Sequence, residues 1–174
     1  MKYYIDTDEI REKAPFLHAG DEVFLSGTVY CARDAAHKRI VNLINENKAL
    51  PFPMKDAVIY YCGPTPAKPG TVIGSAGPTT SSRMDIFMPL LLEKGLAATV
   101  GKGGRSEAVN EEMKKHGALY FAAMGGAGAI AAKCIKSCEV IAFPELGCES
   151  VKKMEFKDFP LIVGNDIYGN SVFA

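Results

Sequence analysis

The 174-residue sequence lacks several features that would place it quickly. No apolar run is long enough to cross a bilayer, so a membrane-spanning protein is not expected. Neither sign of charge is in excess: 20 Lys and Arg balance 20 Asp and Glu. Nothing in that balance attracts nucleic acid or a charged membrane surface. The pairs Lys114-Lys115 and Lys152-Lys153 read as solvated faces. No Cys-x-x-Cys pair exists among the five cysteines. Cys31, Cys62 and Cys148 are scattered, and Cys134 and Cys138 read as small apolar side chains. A complete zinc or iron–sulfur site within this chain is therefore not expected. An odd cysteine count in a chain too large to need staples points to a reducing cytoplasm. His18, His37 and His116 are not spaced as metal ligands. The Gly-x-x-x-x-Gly-Lys-Ser/Thr phosphate loop is absent. So are internal repeats and low-complexity stretches. The N-terminus turns acidic at Asp6, Asp8 and Glu9 and lacks the apolar core of a signal peptide, so no targeting segment is expected.

What is present describes an ordinary globular protein, 48% apolar and 23% charged. Its length suits one domain, residues 1–174. Residues 22–31 alternate, with Val23, Leu25, Gly27 and Val29 on one face and Phe24, Ser26, Thr28 and Tyr30 on the other. Asp34 is placed to cap a helix with the apolar face Ile40, Val41, Leu43 and Ile44. Short strands are predicted at 57–62, 71–75, 97–100, 118–123 and 139–143. Helices are predicted at about 84–93, stopped by Gly95, at 106–116, capped by Ser106 and stopped by Gly117, and at about 127–135. Beyond Val151 the pattern is extended, with a turn at 156–160 and a last strand at 161–163. The alternation of strand and helix implies an α/β fold with a partly parallel sheet and β-rich ends.

Three strand ends carry cations or hydroxyls where a loop would present them. Arg33 follows the first strand. Thr79, Thr80 and Arg83 follow the strand predicted at 71–75. Lys102 follows the strand at 97–100, inside Gly101-Lys102-Gly103-Gly104-Arg105-Ser106. Ligands of open α/β sheets bind outside the carboxyl ends of strands, and helix N-termini there favour anions. Glycine lets the backbone turn sharply and approach a ligand closely. Arg grips a carboxylate with two parallel bonds, while Lys acts as a point charge. The set suits a dicarboxylate. Each element also has a plainer reading: a turn with helix-capping hydroxyls, a solvated lysine, an Arg33–Asp34 surface ion pair. A competing motif is Gly126-Ala127-Gly128-Ala129-Ile130-Ala131, followed by Glu145. It fits a dinucleotide fingerprint and would make the chain a nucleotide- or anion-binding module. Tight helix–sheet packing is the plainer account of those glycines.

Three segments in order, Arg33-Asp34-Ala35-Ala36-His37, Gly77-Pro78-Thr79-Thr80-Ser81-Ser82-Arg83-Met84-Asp85 and the 101–106 block, resemble the C-terminal, or β, part of class I fumarases and L-tartrate dehydratases. Lys102 to Ser106 is similar to that family's Lys-Gly-x-x-Ser signature. The likeness covers nearly the whole chain. It implies a swivelling β/β/α domain, a fold that the pattern alone does not give. It implies a hydro-lyase with a [4Fe–4S] cluster, whose open iron is the Lewis acid and whose Cys ligands lie on a separate α subunit. By position, Arg33, Arg83 and Lys102 would hold the substrate carboxylates. Thr79 would be the base beside a carboxylate-bearing carbon, with Thr80 next to it. Asp34 and His37 would support them. The expected activity is reversible hydration of fumarate to L-malate, in a homo- or hetero-oligomer, with L-tartrate dehydration as the sister reading.

Overall fold

The computed structural model describes residues 1–123 and 128–173. Alternating sequences become strands with two distinct faces, and here the sheet they form curls until it meets itself. In chain order the strands are β1 (Lys2–Asp6), β2 (Glu22–Cys31), β3 (Val58–Tyr60), β4 (Ala98–Gly101), β5 (Leu119–Ala122), β6 (Ile135–Ala142) and β7 (Val151–Asn165). β1 to β5 run parallel to one another in sequence order. β7 runs antiparallel to β2, β5 and β6. Because β7 bonds β5 at one edge and β2 along the other, β2, β3, β4, β5 and β7 close into a small barrel. The result is a mixed α/β architecture.

The period-2 pattern divides the core in two. Val58 and Tyr60 on β3, Val100 on β4 and Leu119 and Phe121 on β5 belong to the barrel interior. There Phe156 and Phe159 of β7 stack with ring centroids 4.4 Å apart, and Tyr60 meets both edge-on, arrangements that add to the burial of apolar surface. Ile59, Tyr61 and Tyr120 point the other way into a second core, with Ile40, Met84, Met88, Leu91 and Met113. The helices that supply it are α2 (Asp34–Asn45), α3 (Met88–Glu93) and α4 (Glu107–His116). A short α1 (Ile10–Lys13) and α5 (Gly128–Lys133) complete the set.

Several expectations hold. β2 has the predicted bounds. Ser106 caps α4, its Oγ accepting the Val109 N–H at 3.2 Å, and Gly117 ends the helix at φ 65°. Others need correction. Residues 71–75 form no strand; they belong to a loop whose bends are fixed by Thr65, whose Oγ1 accepts the Ser75 N–H at 2.6 Å. The helix predicted at 84–93 is two pieces, a 3-10 segment Ser81–Phe87 and then α3. Asp34 does not cap α2: Arg33 occupies the N-cap, and Asp34 lies in the first turn. The predicted turn at 156–160 is continuous strand within β7. Asp158 takes a φ of 48° there, opposite a register shift between Leu25 and Gly27. Ser26 Oγ accepts the Asp158 N–H at 2.9 Å, so turn-like residues make a bulge instead of a reversal. The Gly126–Ala131 motif starts outside the described residues. At Gly128 it packs closely on a loop, because a Cβ there would fall 2.2 Å from Ser75 Oγ.

Candidate active site

The parallel order β2–β3–β4 sets three carboxyl ends side by side, and the candidate residues gather there. Arg33 follows β2 by two positions and begins α2. Its side chain crosses the backbone of Gly63, where a Cβ would lie 2.9 Å from Nη1. Its carbonyl anchors His37, accepting the backbone N–H at 2.9 Å and facing Nδ1 at 2.7 Å.

Thr79 and Thr80 do not follow a strand of their own. They form a short extended stretch inserted between the ends of β3 and β4. The Thr79 N–H donates to the Tyr61 carbonyl at 2.7 Å, the Lys102 N–H to the Thr79 carbonyl at 3.1 Å, and the Ser81 N–H to the Lys102 carbonyl at 2.9 Å. Thr80 and Lys102 are thus paired as a parallel bridge. Glycine is required at 101 for this approach: a Cβ there would lie 2.0 Å from Ser81 Oγ and 2.8 Å from Tyr61 Cδ2. Thr79 and Thr80 are half-buried, while Lys102 and Arg83 are exposed.

Arg83 reaches Asp34 in an ion pair, at the start of α2. The pair forecast from sequence, Arg33 with Asp34, is replaced by this one. It brings the second and first segments together. All five candidates, Arg33, Thr79, Thr80, Arg83 and Lys102, therefore border one rim.

His37 is fully buried beneath that rim, its ring meeting Tyr61 edge-on at a centroid distance of 5.5 Å. Burial pushes its pKa down to about 4; the Arg33 carbonyl opposes this, the Arg105 charge adds to it, and Asp34 opposes it. At neutral pH the ring is uncharged. With the Nδ1–H given to the Arg33 carbonyl, Nε2 has no partner among the described residues.

Sequence reasoning passed over a layer just behind the rim. Tyr120 O–H donates to the Gly103 carbonyl at 2.7 Å and lies 2.7 Å from Ser81 Oγ. Burial holds its hydroxyl proton on, with the pKa pushed up to about 12. Arg105, inside the glycine-rich block, carries a side chain with 0% exposure. Its one visible signal is its position, an arginine directly before a helix cap.

A cleft of about 680 Å³ lies elsewhere, between the loop 65–75 and the start of β6. Lys68, Lys133 and Lys136 line it, but none of the five candidates does. The rim, where the five candidates gather, is the better candidate. Among the described residues no three His, Cys, Asp or Glu come together as a metal-ligand group. Cys31 is fully buried and donates to the Cys62 carbonyl at 2.8 Å. Among the described residues, these do not fit a cluster.

Fold and rim together describe an α/β protein with cations and hydroxyls gathered at parallel strand ends. The chain belongs to the Fumarase C-terminus family, which matches residues 2–174. It is 41% identical to "Fumarate hydratase 2" of Leishmania major over 96% of this chain and 30% of that protein. It is 42% identical to "Fumarate hydratase class I, anaerobic" of Escherichia coli over 86% of this chain and 28% of that protein. It is 39% identical to "Putative L(+)-tartrate dehydratase subunit beta" of Methanocaldococcus jannaschii over 90% of this chain and 84% of that one. The chain thus spans about three-tenths of the fumarate hydratases it matches. No helix among the described residues is long and apolar enough to cross a membrane.

Proposed function

We propose that this chain is the β subunit of a two-subunit iron–sulfur hydro-lyase, which interconverts fumarate and L-malate. The observation that carries the reading is the backbone ladder joining Thr79 and Thr80 to Lys102, with Arg33 and Arg83 on the same rim. Its support is the family membership and the likeness to fumarate hydratases. Arg33, Arg83 and Lys102 hold the two carboxylates. Thr79 removes the proton from the carbon next to one carboxylate, and Thr80 orients the substrate beside it. A threonine hydroxyl is a weak base, so the neighbouring cations must stabilise its alkoxide in a site closed to water. The closing surface is an α subunit, which also carries the [4Fe–4S] cluster and supplies Lewis-acid chemistry. The chain acts as one domain over residues 1–174, of the swivelling β/β/α type. It resides in the cytoplasm, which its five unpaired cysteines support.

A second reading is favoured by one observation: the tartrate dehydratase relative is matched over 84% of its length. The test is co-purification with a cluster-bearing partner under anaerobic conditions, then assay on fumarate, L-malate and L-tartrate. A fumarate and malate preference is expected. A strong preference for L-tartrate selects the second reading, and tight nucleotide binding without a partner would overturn both.

A further inference from the structure

Arg105 is a charge where a charge is costly. Its side chain is fully buried, and none of its guanidinium nitrogens makes a well-aimed hydrogen bond among the described residues. Nε lies 2.9 Å from Asp85 Oδ1, yet its N–H does not point there, so the pair is held by charge more than by a directed bond. The guanidinium lies over the ring of Tyr61 at 5.2 Å and over that of Tyr120 at 5.3 Å. A desolvated cation over two rings is attracted by both, which a planar guanidinium exploits better than an ammonium. Desolvation offsets much of what such a buried charge gains, so stability is a weak account of its place and leaves room for another role.

Its neighbours say what that is. Tyr61 accepts the Thr79 N–H through its carbonyl. Tyr120 touches both Ser81 Oγ and the Gly103 carbonyl. Asp85 lies two residues beyond Arg83 on the same 3-10 segment, and its Oδ2 accepts the Ser106 N–H at 2.9 Å. Each group that touches Arg105 thus also fixes a segment of the rim. We propose that Arg105 is a positioning residue, which locks the Lys102 loop to the segment carrying Thr79, Thr80 and Arg83 through Tyr61, Tyr120 and Asp85. Its cation sets the spacing between the catalytic hydroxyl and the Lys102 ammonium without touching substrate. Only the kinetic arm of its test rests on the dicarboxylate reading.

The test compares wild type, R105M and R105K. Amide hydrogen exchange at Lys102 and Ser81 reads the ladder directly, on the chain as it exists and whatever it catalyses. In R105M both amides exchange about tenfold faster or more. In the assembled enzyme KM for the dicarboxylate rises about tenfold, and kcat falls less. R105K recovers part of both. A merely structural role would lower the melting temperature and leave local exchange and KM unchanged in the folded fraction; that result overturns the proposal. Should R105M fail to fold, R105K decides alone: faster exchange at Lys102 supports the lock, and wild-type exchange refutes it. Wild-type enzyme inactive on every dicarboxylate would refute the functional reading, while the exchange result would still judge the lock.

Discussion

At the scale of single residues, Thr79 and Lys102 are separated by one backbone hydrogen bond but have different proposed tasks. A base acts only in the transition state, so Thr79→Ala should lower kcat about 100-fold or more and leave KM nearly unchanged. Lys102→Met removes carboxylate binding and should raise KM about tenfold. Steady-state kinetics of the assembled enzyme separate the two; equal effects on both constants in both variants would contradict the division of roles. His37 gives a prediction in pH. Its folded pKa of about 4 lies below the ordinary histidine value. The unfolded chain therefore binds the extra proton first as pH falls. The contribution of the neutral buried ring is fully present above about pH 6.5 and is lost progressively down to about pH 4, on the order of 3 kcal/mol. Urea melts at pH 7 and 4.5 should show that loss in wild type and much less of it in H37N. That Arg33, Thr79 and Lys102 gather at strand ends was legible from pattern and motif, whereas the places of Arg105 and Tyr120 were not, because burial and cation–ring contact leave no local sequence pattern.

At the scale of elements, what the sequence disclosed depended on how far each signal reached. β2 and α4 were readable because alternation and caps are local: Ser106 and Gly117 bracket α4 by themselves. β1 went unnoticed among its polar residues, since its place is set by pairing from Lys2 with Glu22 to Asp6 with Ser26. β7 was broken too early, because Asp158 and Pro160 look like a turn until Ser26 is seen opposite. The stretch at Thr79 and Thr80 was attributed to a strand at 71–75 that does not exist, although its place beside Lys102 was anticipated in kind. That placement can be tested through glycine. Gly101→Ala drives a methyl into Ser81 Oγ and the Tyr61 ring. Overpacking of this type costs about 1–3 kcal/mol, and here the strain falls on the ladder itself. The variant should melt earlier and lose activity beyond what its folded fraction explains. Gly117→Ala meets no clash, its Cβ lying 4.0 Å from Arg11 Nη1, but has a left-handed backbone. It should cost about 1 kcal/mol and leave kcat and KM of the folded enzyme unchanged.

For the whole molecule, closing the sheet gives the barrel two ends with different demands. The carboxyl ends of β2, β3 and β4 carry the exposed cations and the inserted stretch, a costly arrangement in which like charges gather. The opposite end carries a stabilising cluster of its own. There Arg11 of α1 gathers the loops that lead into three strands. Its guanidinium donates to the carbonyls of Gly95 and Leu96 before β4, at 2.8 and 3.2 Å, and of His116 and Gly117 before β5, both at 3.1 Å. Its Nε pairs with Asp56, ahead of β3, at 3.1 Å. The side chain is 36% exposed, so solvent screens the ion pair and the carbonyl bonds carry most of the effect. Arg11→Met keeps the stem and removes every one of these donors. It should cost on the order of 2 kcal/mol, read as a lower urea midpoint. Because the loops it ties lie at the far end of β4 from Lys102, kcat and KM of the folded, assembled enzyme should stay at wild-type values. A change in KM with the fold intact would mean that the two ends are mechanically coupled through the barrel, and the separation of stability from site would have to be abandoned.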